Sequence, residues 1–91
     1  YQRVALFLFA VSFAIHAQSP DLVDKSRQAK ELMAAGRFSD AVPIYEELVR
    51  ALPANPGLHL NLGLALHLAG RHRESIPQFE IVLKSDPASI P

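Results

Sequence analysis

A repeat of 34 residues constrains this chain more than any other feature of its sequence. When the sequence is shifted by 34 positions, residues 22–55 align with residues 56–89, and eight aligned pairs are identical. Those pairs are Leu32/Leu66, Ala35/Ala69, Gly36/Gly70, Arg37/Arg71, Pro43/Pro77, Glu46/Glu80, Pro53/Pro87 and Ala54/Ala88. A fixed period of this length indicates stacked supersecondary units that share one continuous core.

Each repeat is predicted to form helix A, a turn and helix B. Gly36 and Gly70 are expected to end the two A helices, because glycine readily adopts the positive φ of a helix C-terminus. Pro53 and Pro87 end the B helices, since proline cannot continue a helix. The expected helices cover residues 22–35, 40–52, 57–69 and 74–85.

Two further patterns support the B helices. Pro43 and Pro77 are expected in the first turn, where the backbone N–H has no intrahelical partner to lose. Acidic and basic residues four positions apart, in the favourable order, predict ion pairs along each B helix. The predicted pairs are Glu46–Arg50 and Glu80–Lys84.

Residues 58–68 contradict this scheme at first, because leucine alternates with other residues at the period of a β-strand. The segment contains no β-branched residue, and leucine and alanine favour helix over strand. It also occupies the position of helix A in the second repeat. We therefore predict a helix here.

With these motifs the chain resembles the tetratricopeptide repeat family. The matching positions are a small residue inside helix A, a leucine one turn later, the turn glycine, a small residue early in helix B, an aromatic residue behind it, and the closing proline. In order, they are Ala29/Gly63, Leu32/Leu66, Gly36/Gly70, Ala41/Ser75, Tyr45/Phe79 and Pro53/Pro87.

The resemblance covers residues 22–89, with departures. The large aromatic residue expected early in helix A is Lys25 in the first repeat and His59 in the second, and Gln28 replaces a leucine. The resemblance implies an all-α, right-handed α-solenoid of helix–turn–helix hairpins. It implies repeats at 22–55 and 56–89, with residues 90–91 beginning a further repeat, so we expect additional repeats or domains after them.

The first 17 residues are interpreted as a secretory signal that is cleaved after Ala17 and followed by a short linker, residues 18–21. Arg3 precedes an apolar run of about a dozen residues, and small and polar residues follow that run. An exported protein, periplasmic or secreted, is therefore expected. The alternatives are an uncleaved membrane anchor formed by residues 4–17 and a buried helix. A lipid-anchored form is excluded because the chain has no cysteine.

Composition and motifs argue against several classes of function. Nine basic and nine acidic residues leave no basic excess for nucleic acid or for a membrane surface beyond the signal. No catalytic motif is present, so neither an enzyme nor a cofactor is expected. His67 and His72 lie five positions apart on either side of a turn, and this spacing does not place them on one helix face. They are interpreted as solvated or half-buried side chains, and no metal site is expected.

The resemblance implies a concave groove lined by the inner face of the A helices. Its partner-binding residues would be Ser26, Lys30, Met33, Leu60, Asn61, Leu64 and His67. Some family members clamp a partner's C-terminal carboxylate with lysine and asparagine, but Ser26 stands where that clamp has lysine. Leucines at helical spacing are also commonly core residues, which leaves a purely structural role open for Leu60 and Leu64.

Two functions remain open at this stage. The first is an exported interaction module that binds a peptide or protein in the groove. The second is a set of N-terminal docking repeats in a longer exported enzyme, transport or assembly component.

Overall fold

The computed structural model describes residues 20–85, which form an all-α array of helices. Helices that are consecutive in sequence pack against each other. The helices are α1 (Pro20–Ala34), α2 (Phe38–Ala51), α3 (Pro56–Leu68) and α4 (His72–Ser85). The predicted signal at 1–17 lies outside the described residues, as do the end of the second repeat and the expected start of a third.

Both hairpins turn at the predicted glycines, Gly36 with φ 76° and Gly70 with φ 85°. In the first turn, the Gly36 N–H donates to the Met33 carbonyl at 3.0 Å and the Arg37 N–H donates to the Leu32 carbonyl at 2.8 Å. The second turn has the same pair of bonds. This arrangement satisfies helix carbonyls that would otherwise have no partner, and it needs a residue free to adopt positive φ.

The segment with strand-like alternation is helical, as predicted. α3 begins after Asn55, whose side-chain oxygen accepts a hydrogen bond from the Leu58 N–H at 3.2 Å. Pro56 occupies the first position of the helix, where the missing N–H costs nothing. A capped start and a residue set that favours helix therefore outweigh the period-two pattern.

One core runs between α1, α2 and α3, and small residues at its centre let the helices approach. Ala29 and Ala41 are fully buried, and Tyr45 fills the space beside them with 2% of its surface exposed. The other core residues are aliphatic: Val42, Leu48, Leu58, Leu62, Ala65 and Leu66. The small and aromatic positions that mark the repeat in the first hairpin thus form its buried core.

The B helices begin two residues earlier than predicted, at Phe38 and His72. Pro43 and Pro77 therefore lie inside helices, not in the first turn. Each removes one backbone hydrogen bond, but both prolines are solvent-exposed, so water can solvate the carbonyl left without a partner.

The charge pairs differ from the prediction. Within residues 20–85, neither Glu46–Arg50 nor Glu80–Lys84 forms an ion pair. The early start of each B helix instead brings an arginine within reach of the acidic residue three positions on. These pairs are Arg37–Asp40 at 2.8 Å and Arg71–Glu74 at 2.7 Å.

Equivalent positions of the two repeats differ in burial. Val42 of α2 is 1% exposed and belongs to the core that α2 shares with α1 and α3, whereas its counterpart Ile76 of α4 is 53% exposed. Val49 is half-buried and its counterpart Leu83 is 44% exposed. The surface that α2 buries against the next helix is therefore open on α4 within the described part of the chain.

Candidate partner-binding surface

Helix α3 is apolar on two faces. The face that packs into the fold carries Leu58, His59, Leu62, Gly63, Ala65 and Leu66. The other face carries Leu60, which is half-buried, Leu64, which is 39% exposed, and Leu68, which is 51% exposed. Residues four apart lie on one side of a helix. We call these three residues the leucine stripe.

Two of the seven predicted groove residues, Ser26 and Lys30, line a shallow depression of about 460 Å³ on α1. The rest of its lining is Val23, Arg27, Glu31 and Ala34. Arg27 is held by Asp24 at 2.9 Å and approached by Glu31 at 3.7 Å. Lys30 is exposed and forms no ion pair with any residue from 20 to 85, so its charge is available to a ligand.

The remaining predicted residues have different surroundings. Met33 packs against the buried core, so part of its surface serves the fold. Asn61 is half-buried on α3, and His67 is exposed near the end of that helix. Leu68 is the third residue of the leucine stripe and was not among the predicted groove residues. The signal was its spacing, four residues after Leu64.

The turn between α3 and α4 brings two histidines together that the sequence analysis did not place on a shared face. The Nδ1 atoms of His67 and His72 lie 2.9 Å apart, and the two rings meet edge to face with centroids 4.6 Å apart. Both side chains are solvent-exposed. In the described range, no group of three or more histidine or acidic residues has the arrangement of a metal site.

His59 has the opposite environment, with 6% of its surface exposed. Its Nε2 lies 2.7 Å from the Pro53 carbonyl, and its Nδ1 lies 2.8 Å from the side-chain amide of Gln78. Because a carbonyl only accepts, Nε2 carries a proton. The histidine therefore joins the loop between the repeats to α4 and is a structural residue, not a ligand-binding one.

The arginine that follows each turn glycine is paired with an acidic residue three positions on. Arg71 donates two hydrogen bonds to Glu74, at 2.8 and 2.7 Å, and these bonds lower the pKa of the Glu74 carboxyl and raise that of the Arg71 guanidinium. Lys25 reaches Glu47 of the neighbouring helix at 3.3 Å. Arg37, Arg71 and Lys25 are therefore compensated by neighbouring carboxylates, and the apolar stripe is the more distinctive surface.

Successive helical hairpins at a 34-residue period, with glycine turns and a shared core, define an all-α solenoid of helical repeats. The chain belongs to the tetratricopeptide repeat family. The family model described as Tetratricopeptide repeat matches residues 26–90. No curated protein and no solved structure matches the chain.

Membership gives the general class of activity. Tetratricopeptide repeats are protein–protein interaction modules, they commonly bind protein or peptide partners, and they are typically non-catalytic. Between residues 20 and 85, no helix combines the length and the apolar composition that a membrane crossing requires.

Proposed function

We propose that this chain is an exported interaction module whose leucine stripe binds an apolar side chain or helix of a protein partner. The observation that carries the proposal is the second apolar face of α3. Leu64 and Leu68 are 39% and 51% exposed although the same helix already buries a full set of core residues. Stability of the described fold does not account for leucine at these positions.

The equivalent positions of α1 support this assignment by contrast. Residues 34 positions before the leucine stripe are Ser26, Lys30 and Ala34, two of which are polar. A ligand that spans both A helices would therefore meet leucine on one and a lysine on the other. Burying one aliphatic side chain is worth about 1.5–3 kcal/mol, so a few such contacts give useful affinity. An acidic group opposite Lys30 would add specificity more than energy.

Export is a separate part of the proposal and rests on the apolar run with its preceding arginine. It is tested by intact mass of the exported product, with a mature chain expected to start at or near Gln18. If residues 1–17 were instead retained on a chain in the membrane fraction, they would be an uncleaved membrane anchor and not a cleaved signal.

The groove is tested with a random 12-residue peptide library selected against the full chain. Selected peptides are expected to be rich in large apolar residues and to bind Leu64→Ser at least tenfold more weakly. The midpoint of thermal unfolding should fall no further than in a control variant of equal exposure, because Leu64 is already partly exposed.

Ile81→Ser is the matched control for this experiment. Ile81 is 40% exposed, nearly the same as Leu64, but it lies on α4 at the position where the first repeat has Glu47. It should leave peptide binding intact. The proposal would be overturned if both variants lost peptide affinity equally, or if neither substitution changed peptide affinity. A loss of a few kcal/mol in the stability of Leu64→Ser would make this residue core.

A second proposal concerns Ile76 and Leu83, whose counterparts Val42 and Val49 in the first repeat lie in or against the core that includes α3. We propose that an A-type helix of a further repeat covers them in the functional protein, as docking repeats in a longer protein would require. Appending a second copy of residues 58–85 after Pro91 keeps the 34-residue period, because residues 90–91 stand in the positions of Pro56 and Gly57. This addition should raise the unfolding midpoint and sharpen the transition. Ile76→Ser should abolish that gain, and a gain that survives the substitution would contradict the proposal.

A further inference from the structure

The pair formed by His67 and His72 has the geometry of a chelating site. His67 lies in the last turn of α3 and His72 is the first residue of α4, so the glycine turn folds one ring back onto the other. The Nδ1–Nδ1 distance is 2.9 Å, and the ring planes are inclined by 63°. We propose that these two nitrogens bind a divalent transition-metal ion, with Cu²⁺ as the best match.

The separation of the nitrogens selects the kind of metal. Imidazole nitrogens bind such ions at about 2.0–2.1 Å. Two ligands at a right angle around the ion are then about 2.9 Å apart, whereas two ligands at a tetrahedral angle are about 3.3 Å apart. The distance found here fits adjacent positions of a square-planar or octahedral ion. Cu²⁺ takes this geometry with nitrogen ligands and binds most tightly among the divalent ions of its series.

Binding requires one proton to move. In the metal-free pair, one Nδ1 carries a proton and donates it to the lone pair of the other Nδ1, so neither nitrogen has a free lone pair. When that proton transfers to Nε2 of the same ring, both Nδ1 lone pairs become available and both rings stay neutral. Both residues are exposed, so the Nε2–H groups can donate to water.

The backbone around the pair is held in place before a metal arrives. The His67 carbonyl accepts from the Gly70 N–H at 3.0 Å, and the His72 carbonyl accepts from the Ser75 hydroxyl at 2.7 Å. Ser75 is itself 2% exposed. The two ligands therefore start from fixed helix ends, which lowers the entropic cost of bringing them together.

Two arginines lie close to the pair in sequence, and Arg73, which follows His72, forms no ion pair among residues 20–85. Arg71, between the histidines in sequence, is neutralised by its two hydrogen bonds to Glu74. Across the described residues no third histidine or acidic side chain completes the set. Water would fill the remaining coordination positions of the ion. Because two imidazoles are the only protein ligands, we expect a dissociation constant on the order of micromolar, not nanomolar.

The first repeat supplies the matched variant. The residues 34 positions earlier are Met33 and Phe38, at an equivalent turn with the same backbone hydrogen bonds. The double substitution His67→Met/His72→Phe should therefore preserve the turn while removing both ligands. Circular dichroism of the variant checks that the helices are intact.

The test is a calorimetric titration of the full chain with Cu²⁺, accompanied by electron paramagnetic resonance. The unmodified chain should bind one equivalent with nitrogen hyperfine structure, and its unfolding midpoint should rise. His67→Met/His72→Phe should bind at least tenfold more weakly and lose the rise. His67→Gln changes a single exposed side chain and should also bind Cu²⁺ at least tenfold more weakly. It replaces the double variant in the test if that variant is misfolded.

His16→Ala is the control for binding elsewhere, because His16 is the only other histidine besides the buried His59. It should bind Cu²⁺ as the unmodified chain does. An affinity that falls less than threefold in both the double variant and His67→Gln overturns the proposal. So does a loss of binding in His16→Ala.

Discussion

Phe79 packs directly on the backbone of Gly63, so that a Cβ at this glycine would lie 2.6 Å from the ring's Cε1 and 2.9 Å from its Cδ1. The first repeat has Ala29 and Tyr45 at the equivalent positions, and there a methyl group is accommodated with Ala29 fully buried. Packing of the second hairpin thus requires glycine at position 63, whereas the first hairpin accommodates alanine at the equivalent position 29.

Gly63→Ala should consequently destabilise the fold. Overpacking of this kind costs about 1–3 kcal/mol, and the better helix propensity of alanine returns up to about 1 kcal/mol. We expect a net loss of about 1–2 kcal/mol in the free energy of unfolding, measured in urea. Phe79→Leu in the same chain should recover part of it. A stability gain from Gly63→Ala alone would show that the Phe79 ring moves aside freely.

Val42→Ala and Ile76→Ala form a matched pair at equivalent positions of the two repeats. Val42 is 1% exposed, so losing two buried carbons and leaving a cavity should cost about 2 kcal/mol. Ile76 is 53% exposed and should cost less than about 1 kcal/mol. Urea unfolding of both variants measures this. Equal costs would mean that something covers Ile76 in solution.

The buried histidine should be coupled to its amide partner. His59→Phe fits the buried position but leaves the Pro53 carbonyl and the Gln78 amide without their hydrogen bonds. We expect a loss of about 1–3 kcal/mol in the free energy of unfolding. A double-mutant cycle with Gln78→Ala should give a coupling above about 0.5 kcal/mol. Additive effects of the two substitutions would disprove the contact.

Tyr45 should make stability depend on pH in the alkaline range. Burial raises the pKa of its phenol above the ordinary value of 10.0. Folding therefore favours the neutral phenol, and its contribution is fully present below about pH 10 and is lost as the pH rises through the folded pKa. Between pH 9 and pH 11.5, the free energy of unfolding should fall more steeply in the unmodified chain than in Tyr45→Phe. Parallel curves would contradict this.

Much of the fold was predictable because the repeat fixes local and long-range structure together. Gly36 and Gly70 end helices where a positive φ is needed, and the buried positions follow the repeat pattern through Ala29, Ala41 and Tyr45. The starts of α2 and α4 were placed two residues too late. Neither Phe38 nor His72 is a typical helix-start residue, and the backbone bonds of the glycine turn let each helix begin at once.

The candidate site was only partly predictable, since spacing along one helix is visible in sequence and contacts across a turn are not. The family resemblance placed Leu60 and Leu64 on one face of α3, and their spacing of four residues, extended once more, would have found Leu68. The contact between His67 and His72 depends on how tightly the turn reverses the chain, which the interval of five residues alone does not reveal. Whether the stripe binds a partner remains a prediction.

The sequential packing of the helices has a consequence for how the array opens. Within residues 20–85, α1 and α4 each make their main contacts with one helix, whereas α2 and α3 each pack on a helix at both sides. Releasing α1 or α4 breaks one interface, and releasing α2 breaks two. Backbone amides of α1 and α4 should therefore exchange with deuterium through partial openings, while those around Tyr45 and Leu48 wait for the whole array to unfold. A graded protection pattern of this kind would leave the two ends of the described array able to yield locally while its middle keeps its shape.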